Sequence, residues 1–325
     1  MRVNEIFNLT NRAAFDEVAL EIFRNQALNN PTYQRFLHLI GVKPSDVSAV
    51  KNIPFLPIEF FKTHTIISSD DPVQITFLSS GTTGLTQSKH LVTDLGIYEK
   101  SFIKGFEHFY GPIQDLTILA LLPGYLERKG SSLIYMVDYM IRKSESEHSG
   151  FYLDNLAELA EKLEQLDAKG DNILLIGVSY ALLDLIETRK FKLKNTIVME
   201  TGGMKGKRKE LVRQELHDLL AKGLGVSRIH SEYGMTELLS QAYSKGDGIF
   251  ETPPWMKVFT RDPEDPFNML SPGKSGGINI IDLANINSCS FIATQDLGRR
   301  IDEVHFEILG RFDHSDIRGC NLMVV

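Results

Sequence analysis

The chain is poor in cysteine: only Cys289 and Cys320 carry a thiol among its 325 residues. Two cysteines do not make the disulfide framework of a secreted scaffold, so a reducing, cytoplasmic setting is the expectation. A positive charge balance is missing as well. The net charge of −7 argues against nucleic acid as a bulk partner, because such binders carry a basic face. Long apolar runs are also lacking. Leu116 to Leu122 is broken by Pro123 and Gly124, far short of the ~18–20 residues that a membrane span requires. At the N-terminus, Asn11 reads as the cap of a helix with Phe15, Val18, Ala19, Ile22 and Phe23 on one stripe. That pattern has no continuous apolar core, so it is not an export signal. The chain shows no internal repeat and no low-complexity tract.

What remains is ordinary globular texture, 42% apolar and 24% charged, which permits a sizeable core in two domains or one large one. After the first helix, a second short one should end at Asn29-Asn30-Pro31 and a third should run from Tyr33 to Ile40. Residues 94–110, 131–137, 153–168, 179–189 and 207–222 also read as helices. Between them lie short apolar runs at 118–122, 173–177, 196–200 and 226–230, the mark of strands buried on both faces of a parallel sheet. This alternation predicts an α/β architecture with ligands at the carboxyl ends of the strands. From residue 247 onward shorter strands (278–281, 290–293, 305–308) suggest a smaller β-rich subdomain.

Chemistry gathers at the strand ends. In Phe77-Leu78-Ser79-Ser80-Gly81-Thr82-Thr83-Gly84, an apolar run stops at hydroxyl and glycine residues, with Lys89 and His90 close behind. Glycine admits backbone N–H groups near an anion and hydroxyls add rotatable donors, so the loop suits nucleotide phosphates; a plain surface turn has the same composition. Its spacing is not the G-x-x-x-x-G-K-[ST] of a P-loop. Gly202-Gly203 after a strand allows close approach of a flat ring or a phosphate, and the basic run beyond it reads as a solvated helix start. In Tyr233-Gly234-Met235-Thr236-Glu237, the phenol ring can stack on a purine, Thr236 can donate to phosphate and Glu237 can ligate Mg²⁺. A capped helix start is the structural alternative there. Asp296 can accept from a ribose diol and Arg311 offers a planar fork, although either could be a surface ion-pair residue.

Taken in order, Ser79 to Gly84, Tyr233 to Glu237, Asp296 and Gly310-Arg311-Phe312-Asp313 resemble the adenylate-forming acyl/aryl ligase superfamily. Leu126 to Leu133 and Ser315 to Cys320 resemble its acyl-protein synthetase branch, of the long-chain-fatty-acid–luciferin-component ligase type. The resemblance implies an adenylate-forming large domain, with parallel and mixed sheets flanked by helices and a smaller β-rich subdomain. It further implies an acyl-activating domain over 1–309, with 247–309 as the subdomain and 310–325 as hinge and tail. Twelve residues follow Asp313 where the superfamily has a small domain of about a hundred, so that domain is expected to be missing or vestigial. Without the lysine of that domain, adenylation would use another cation (Lys89, Lys205 or Arg311), rely on a partner chain, or proceed slowly. Gln295, where the superfamily has glycine, and the late position of Lys89 are further departures.

By the same resemblance, ATP and Mg²⁺ serve as cofactors. Ser79, Ser80, Gly81, Thr82, Thr83 and Gly84 hold phosphates near Lys89; Gly202, Gly203 and Tyr233 bracket adenine; Thr236 and Glu237 are catalytic, with Glu237 on the metal; Asp296 and Arg311 hold ribose. The substrate is a fatty or other hydrophobic carboxylic acid, and the acyl group passes to a protein thiol, either Cys320 or a cysteine of an acyl-accepting reductase or carrier protein. Acyl- or aryl-CoA ligation and a non-catalytic nucleotide-binding subunit are the competing readings. Arg318, two positions from Cys320, favours a thiolate, although a small residue packed in a terminal strand is the alternative; Cys289 reads as structural, and His148 and His230 as satisfied or solvent-facing rather than as bases. Pro123, Tyr125, Ser131, Ser132 and the aromatics near Phe55 are expected to line the acyl pocket.

Overall fold

Two five-residue apolar runs, Thr117–Leu121 and Ile173–Gly177, are buried along their whole length and set the centre of the structure. Complete burial of each aliphatic side chain there contributes about 1.5–3 kcal/mol. The computed structural model describes residues 3–9, 11–79, 86–122, 130–153, 155–202 and 211–312.

In chain order the elements begin with α1 (Val3–Ile6), α2 (Arg12–Asn29) and α3 (Pro31–Leu39). They continue with β1 (Leu56–Pro57), α4 (Phe60–Thr63), β2 (Ile75–Leu78), β3 (Lys89–Val92) and α5 (Leu95–Tyr110). Next come β4 (Thr117–Leu121), α6 (Ser132–Lys143), β5 (Gly150–Phe151), α7 (Leu156–Lys169), β6 (Ile173–Gly177) and α8 (Ser179–Thr188). Then follow β7 (Thr196–Thr201), α9 (Arg213–Leu224) and β8 (His230–Tyr233). The chain closes with β9 (Ala242–Ser244), β10 (Ile249–Glu251), β11 (Met256–Arg261), β12 (Ser275–Asp282), β13 (Phe291–Arg300) and β14 (His305–Arg311).

Among the described residues, twelve strands form one sheet in the order β11-β12-β13-β14-β10-β9-β8-β7-β6-β4-β5, with β1 paired to β13. The half from β8 to β5 is parallel and is built by strand–helix alternation. From β8 onward the pairing turns antiparallel, so the β-rich stretch after residue 247 extends the same sheet. A separate two-stranded ribbon, β2 with β3, carries the glycine loop. No helix among the described residues is long and apolar enough to cross a membrane.

Local expectations met two corrections. Residues 12–29 form one helix rather than two, because nothing between Phe23 and Gln26 breaks it; Asn11 caps its start and Asn30 ends it. Asn30 then caps α3 through its side chain, which accepts from Tyr33 N. The strand expected at 226–230 starts at His230, where Met199 of β7 becomes available as a pairing partner, and so takes in Tyr233.

A bulge at Leu309 shifts the β13–β14 register, so that Asp296 stands opposite Arg311 while Gly298 stands opposite Ile308. A Cβ on Gly298 would lie 2.3 Å from the Glu307 carbonyl oxygen. Gly298→Ala is expected to lower the urea-unfolding free energy by about 1–3 kcal/mol. An unchanged unfolding midpoint would show that the two strands can slide to admit a methyl group.

Candidate active site

The ribbon carries the hydroxyl and glycine loop on a closed neck. Ser79 N donates to Ser88 O at 3.1 Å, Ser88 N to Ser79 Oγ at 2.9 Å, and Gln87 Nε2 to Ser79 O at 2.7 Å. Ser80, Gly81, Thr82, Thr83 and Gly84 lie outside the described residues. Strand alternation turns Ser88 and His90 inward, where both are buried, and leaves Lys89 exposed between them.

Ser88 and His90 meet the segment that follows β8. His90 Nδ1 lies 2.9 Å from the Thr236 carbonyl oxygen, and Nε2 lies 2.9 Å from Ser288 Oγ. A carbonyl only accepts, so Nδ1 carries the proton and Nε2 accepts from the Ser288 hydroxyl. Burial pulls the imidazole down to about 4, which keeps it neutral. The Ser88 hydroxyl is hydrogen-bonded to the Glu237 carboxylate.

Thr236 and Glu237 form a turn, not the helix start that the sequence also allowed. Their carbonyls, and the peptide N–H groups of Leu239 and Ser240 just beyond, are satisfied by side chains from elsewhere. Asn285 Nδ2 donates to Glu237 O at 2.8 Å, while Leu239 N and Ser240 N both donate to Asp282 Oδ2 at 2.9 Å. Asp282 is fully buried; burial raises its carboxyl to about 6 against the pull of these donors.

A second limb of the site comes from the antiparallel strands. The Tyr233 hydroxyl donates to Asp296 Oδ2 at 2.6 Å, and Arg311 Nε lies 3.2 Å from Asp296 Oδ1. The Tyr233 ring packs on Phe250 and Phe306. Burial and the Asp296 charge hold its phenol well above the usual range, so it remains a donor. Gln295 turns to the other face of β13, where Nε2 donates to Glu59 Oε1 at 2.5 Å. Arg311 links the two limbs. Burial raises the Glu237 carboxyl, and the positive charges of Arg311 and Lys62 draw it back down.

On the opposite side of β8, Thr201 Oγ1 donates to Glu232 Oε2 at 2.5 Å. A Cβ on Gly234 would stand 2.4 Å from Glu232 Oε1, so glycine is needed for the carboxyl to fold over that peptide. Desolvation, with help from the Glu200 charge, raises Glu232 to about 7. Gly202 ends β7 with φ of 68°, and its carbonyl accepts from Ser179 Oγ at 2.8 Å.

Gly203, Lys205, Pro123, Tyr125, Asp313 and Cys320 lie outside the described residues. Cys289 is buried and its thiol is pushed up to about 12, which makes it inert. His230 sits against the Tyr110 hydroxyl and is pulled down to about 4 by burial. Phe55 packs in the core against Phe259 and Phe291. A surface groove of about 490 Å³ lies at the amino ends of β4 and β6, beside Thr117 and Asn172, away from all of these groups. Among the described residues no three His, Cys, Asp or Glu side chains gather into a metal-holding group. Glu237 offers one carboxylate beside the Ser88 hydroxyl, which suits Mg²⁺, an ion that takes most of its ligands from phosphate and water.

The roles of Ser88, His90, Asp282, Asn285 and Glu232 were not read from the sequence. Two of them leave a trace there: Asp282 is a lone acid closing the apolar run Ile278 to Ile281, and His90 alternates with Leu91 on an otherwise ordinary strand.

The described fold is that of adenylate-forming enzymes. ATP-bound MatB from Rhodopseudomonas palustris superposes with a TM-score of 0.57 at 17% identity, over 75% of this chain and 49% of that one. An open 2-hydroxyisobutyryl-CoA ligase in complex with 2-HIB-AMP and CoA gives 0.63 at 12% identity, over 93% and 70%. The same ligase in its thioesterification state gives 0.62 at 14%, over 95% and 70%. The chain thus spans about half the length of the MatB structure it matches. No curated protein sequence matches it. Residues 8–325 match the family described as acyl-protein synthetase, LuxE, and the chain belongs to that family.

The raised carboxyl of Glu232 has a pH signature. A group with a higher value in the folded state stabilises the fold at low pH and loses that contribution as pH rises through the folded value. Between about pH 4.5 and 7, Glu232→Gln should therefore gain stability relative to the unaltered protein, by roughly 2–3 kcal/mol. Urea titrations at several pH values measure this, and a pH-independent difference would contradict it.

Proposed function

We propose that the protein activates a fatty or other hydrophobic carboxylic acid as its acyl-adenylate, using ATP and Mg²⁺, and passes the acyl group to a protein thiol. The observation that carries this reading is the meeting of the two limbs. Ser88 and His90 grip the Thr236–Glu237 turn, Tyr233 and Asp296 are hydrogen-bonded, and Arg311 acts on Asp296 and Glu237 alike.

In this reading Ser79 to Gly84 hold the β- and γ-phosphates, with Lys89 nearby. Gly202, Gly203 and Tyr233 bracket the adenine. Asp296 accepts from the ribose hydroxyls while Tyr233 and Arg311 fix its orientation. Thr236 donates toward the α-phosphate, and Glu237 with Ser88 holds the Mg²⁺, which neutralises charge on the phosphates. A carboxylate oxygen bonds to the α-phosphorus, the bond from that phosphorus to the bridging oxygen breaks, and its electron pair leaves with pyrophosphate. The mixed anhydride then meets a thiolate: a C–S bond forms, AMP departs, and the thiol proton goes to solvent. Cys320 is the proposed acceptor on this chain, from which an acyl-accepting reductase or carrier protein would draw. A reducing cytoplasm suits such a free thiol. Residues 1–309 make up the activating unit, with a hinge from 310 onward.

ATP–pyrophosphate exchange over a panel of carboxylic acids tests the first step, and exchange dependent on a long-chain acid is expected. Labelled acid with ATP should then leave hydroxylamine-sensitive label on the protein, reduced at least tenfold in Cys320→Ala. Label that persists in this variant removes Cys320 from the reaction. Product formation that requires free coenzyme A would replace the protein acceptor, and absence of exchange with every acid would overturn the enzymatic reading.

A further inference from the structure

Helix α4 is a single turn and cannot hold its place alone. Two neighbouring side chains fasten it to β13 and β3, the strands that carry Asp296 and His90. Glu59, just before the helix, accepts from Gln295, the residue next to Asp296 on β13. Phe61 is fully buried, with its ring edge-on to the His90 imidazole at a centroid distance of 5.6 Å and an interplanar angle of 78°. His90 in turn holds the Thr236 carbonyl. Lys62 follows Phe61, its peptide N–H donates to Glu59 O at 2.9 Å, and its side chain is exposed. Its charge and that of Arg311 both act on the buried Glu237 carboxylate. Arg311 is already engaged by Asp296, and Lys89 points outward from β3.

We propose that Lys62 is a catalytic residue of the adenylation step, whose ammonium meets the phosphoryl oxygens of the bound nucleoside triphosphate. The proposal rests on the function argued above. As the acid oxygen bonds to the α-phosphorus and the electron pair of the breaking bond leaves with pyrophosphate, negative charge grows on the oxygens between the two centres. A fixed ammonium there lowers the energy of that arrangement more than that of bound ATP. Lys62 stays protonated throughout and transfers no proton. The anchoring by Glu59 and Phe61 supplies the preorganisation that a long, flexible side chain lacks by itself.

The test is pyrophosphate exchange by the full-length protein and by its Lys62→Ala, Lys62→Arg and Lys89→Ala variants, with kcat and the KM for ATP measured separately. Lys62→Ala should lower kcat by about 10- to 100-fold, a range typical for loss of one group that stabilises transition-state charge. Its urea midpoint should not move, because the side chain is exposed. Lys62→Arg keeps the charge and should recover most of the rate, and Lys89→Ala should lose less than Lys62→Ala. A Lys62→Ala rate within twofold of the unaltered protein would overturn the proposal. So would a loss confined to the KM for ATP. If the unaltered protein exchanges nothing with any acid, the enzymatic reading falls and this proposal falls with it.

Discussion

The segment between Tyr233 and Ala242 is largely buried yet carries no helix, so its peptide groups have to be satisfied from outside. His90 from the two-stranded ribbon takes the Thr236 carbonyl, while Asp282 and Asn285 from the end of β12 and the turn beyond it take the peptides of residues 237–240. Two parts of the chain far apart in sequence are therefore bound to one short segment. Loss of any of these partners would leave a buried N–H or C=O unpaired, at about 1–3 kcal/mol each. This demand for hydrogen-bond partners sets the position of Glu237 and, through β8, that of Tyr233.

The same region concentrates negative charge. Glu232, Glu237, Asp282 and Asp296 are withdrawn from water within one part of the structure, and burial raises the first three above ordinary carboxylate values. A polyanion would be repelled by such a site unless donors and cations stood in front of it. The positive charges of Arg311 and Lys62 act on Glu237, and the hydroxyls of Ser88 and Tyr233 are engaged by carboxylates. With a chain charge of −7, attraction of a nucleotide would have to be local.

Much of the parallel half of the sheet was legible in the sequence, because strands buried on both faces are written as unbroken apolar runs and helices as one-sided stripes. Ile173 to Gly177 and the helix ended by Gly170 illustrate this. Less legible were features decided by pairing partners. The β8 strand begins where β7 offers Met199, and no local pattern marks that point. Tyr233, Asp296 and Arg311, singled out in the sequence for the chemistry of their residue types, are brought together by the fold. Their supports could not be singled out in this way, since His90 and Asn285 look like ordinary strand and loop residues until the fold brings them against the turn.

Hydrogen–deuterium exchange with and without an ATP analogue and Mg²⁺ tests most directly whether these parts make one nucleotide site. Protection is expected to rise together in residues 79–92, 230–240 and 294–312, with the amino-end groove around Asp115 and Asp171 unchanged. Protection confined to one of those three segments, or appearing at the groove instead, would contradict a single cleft.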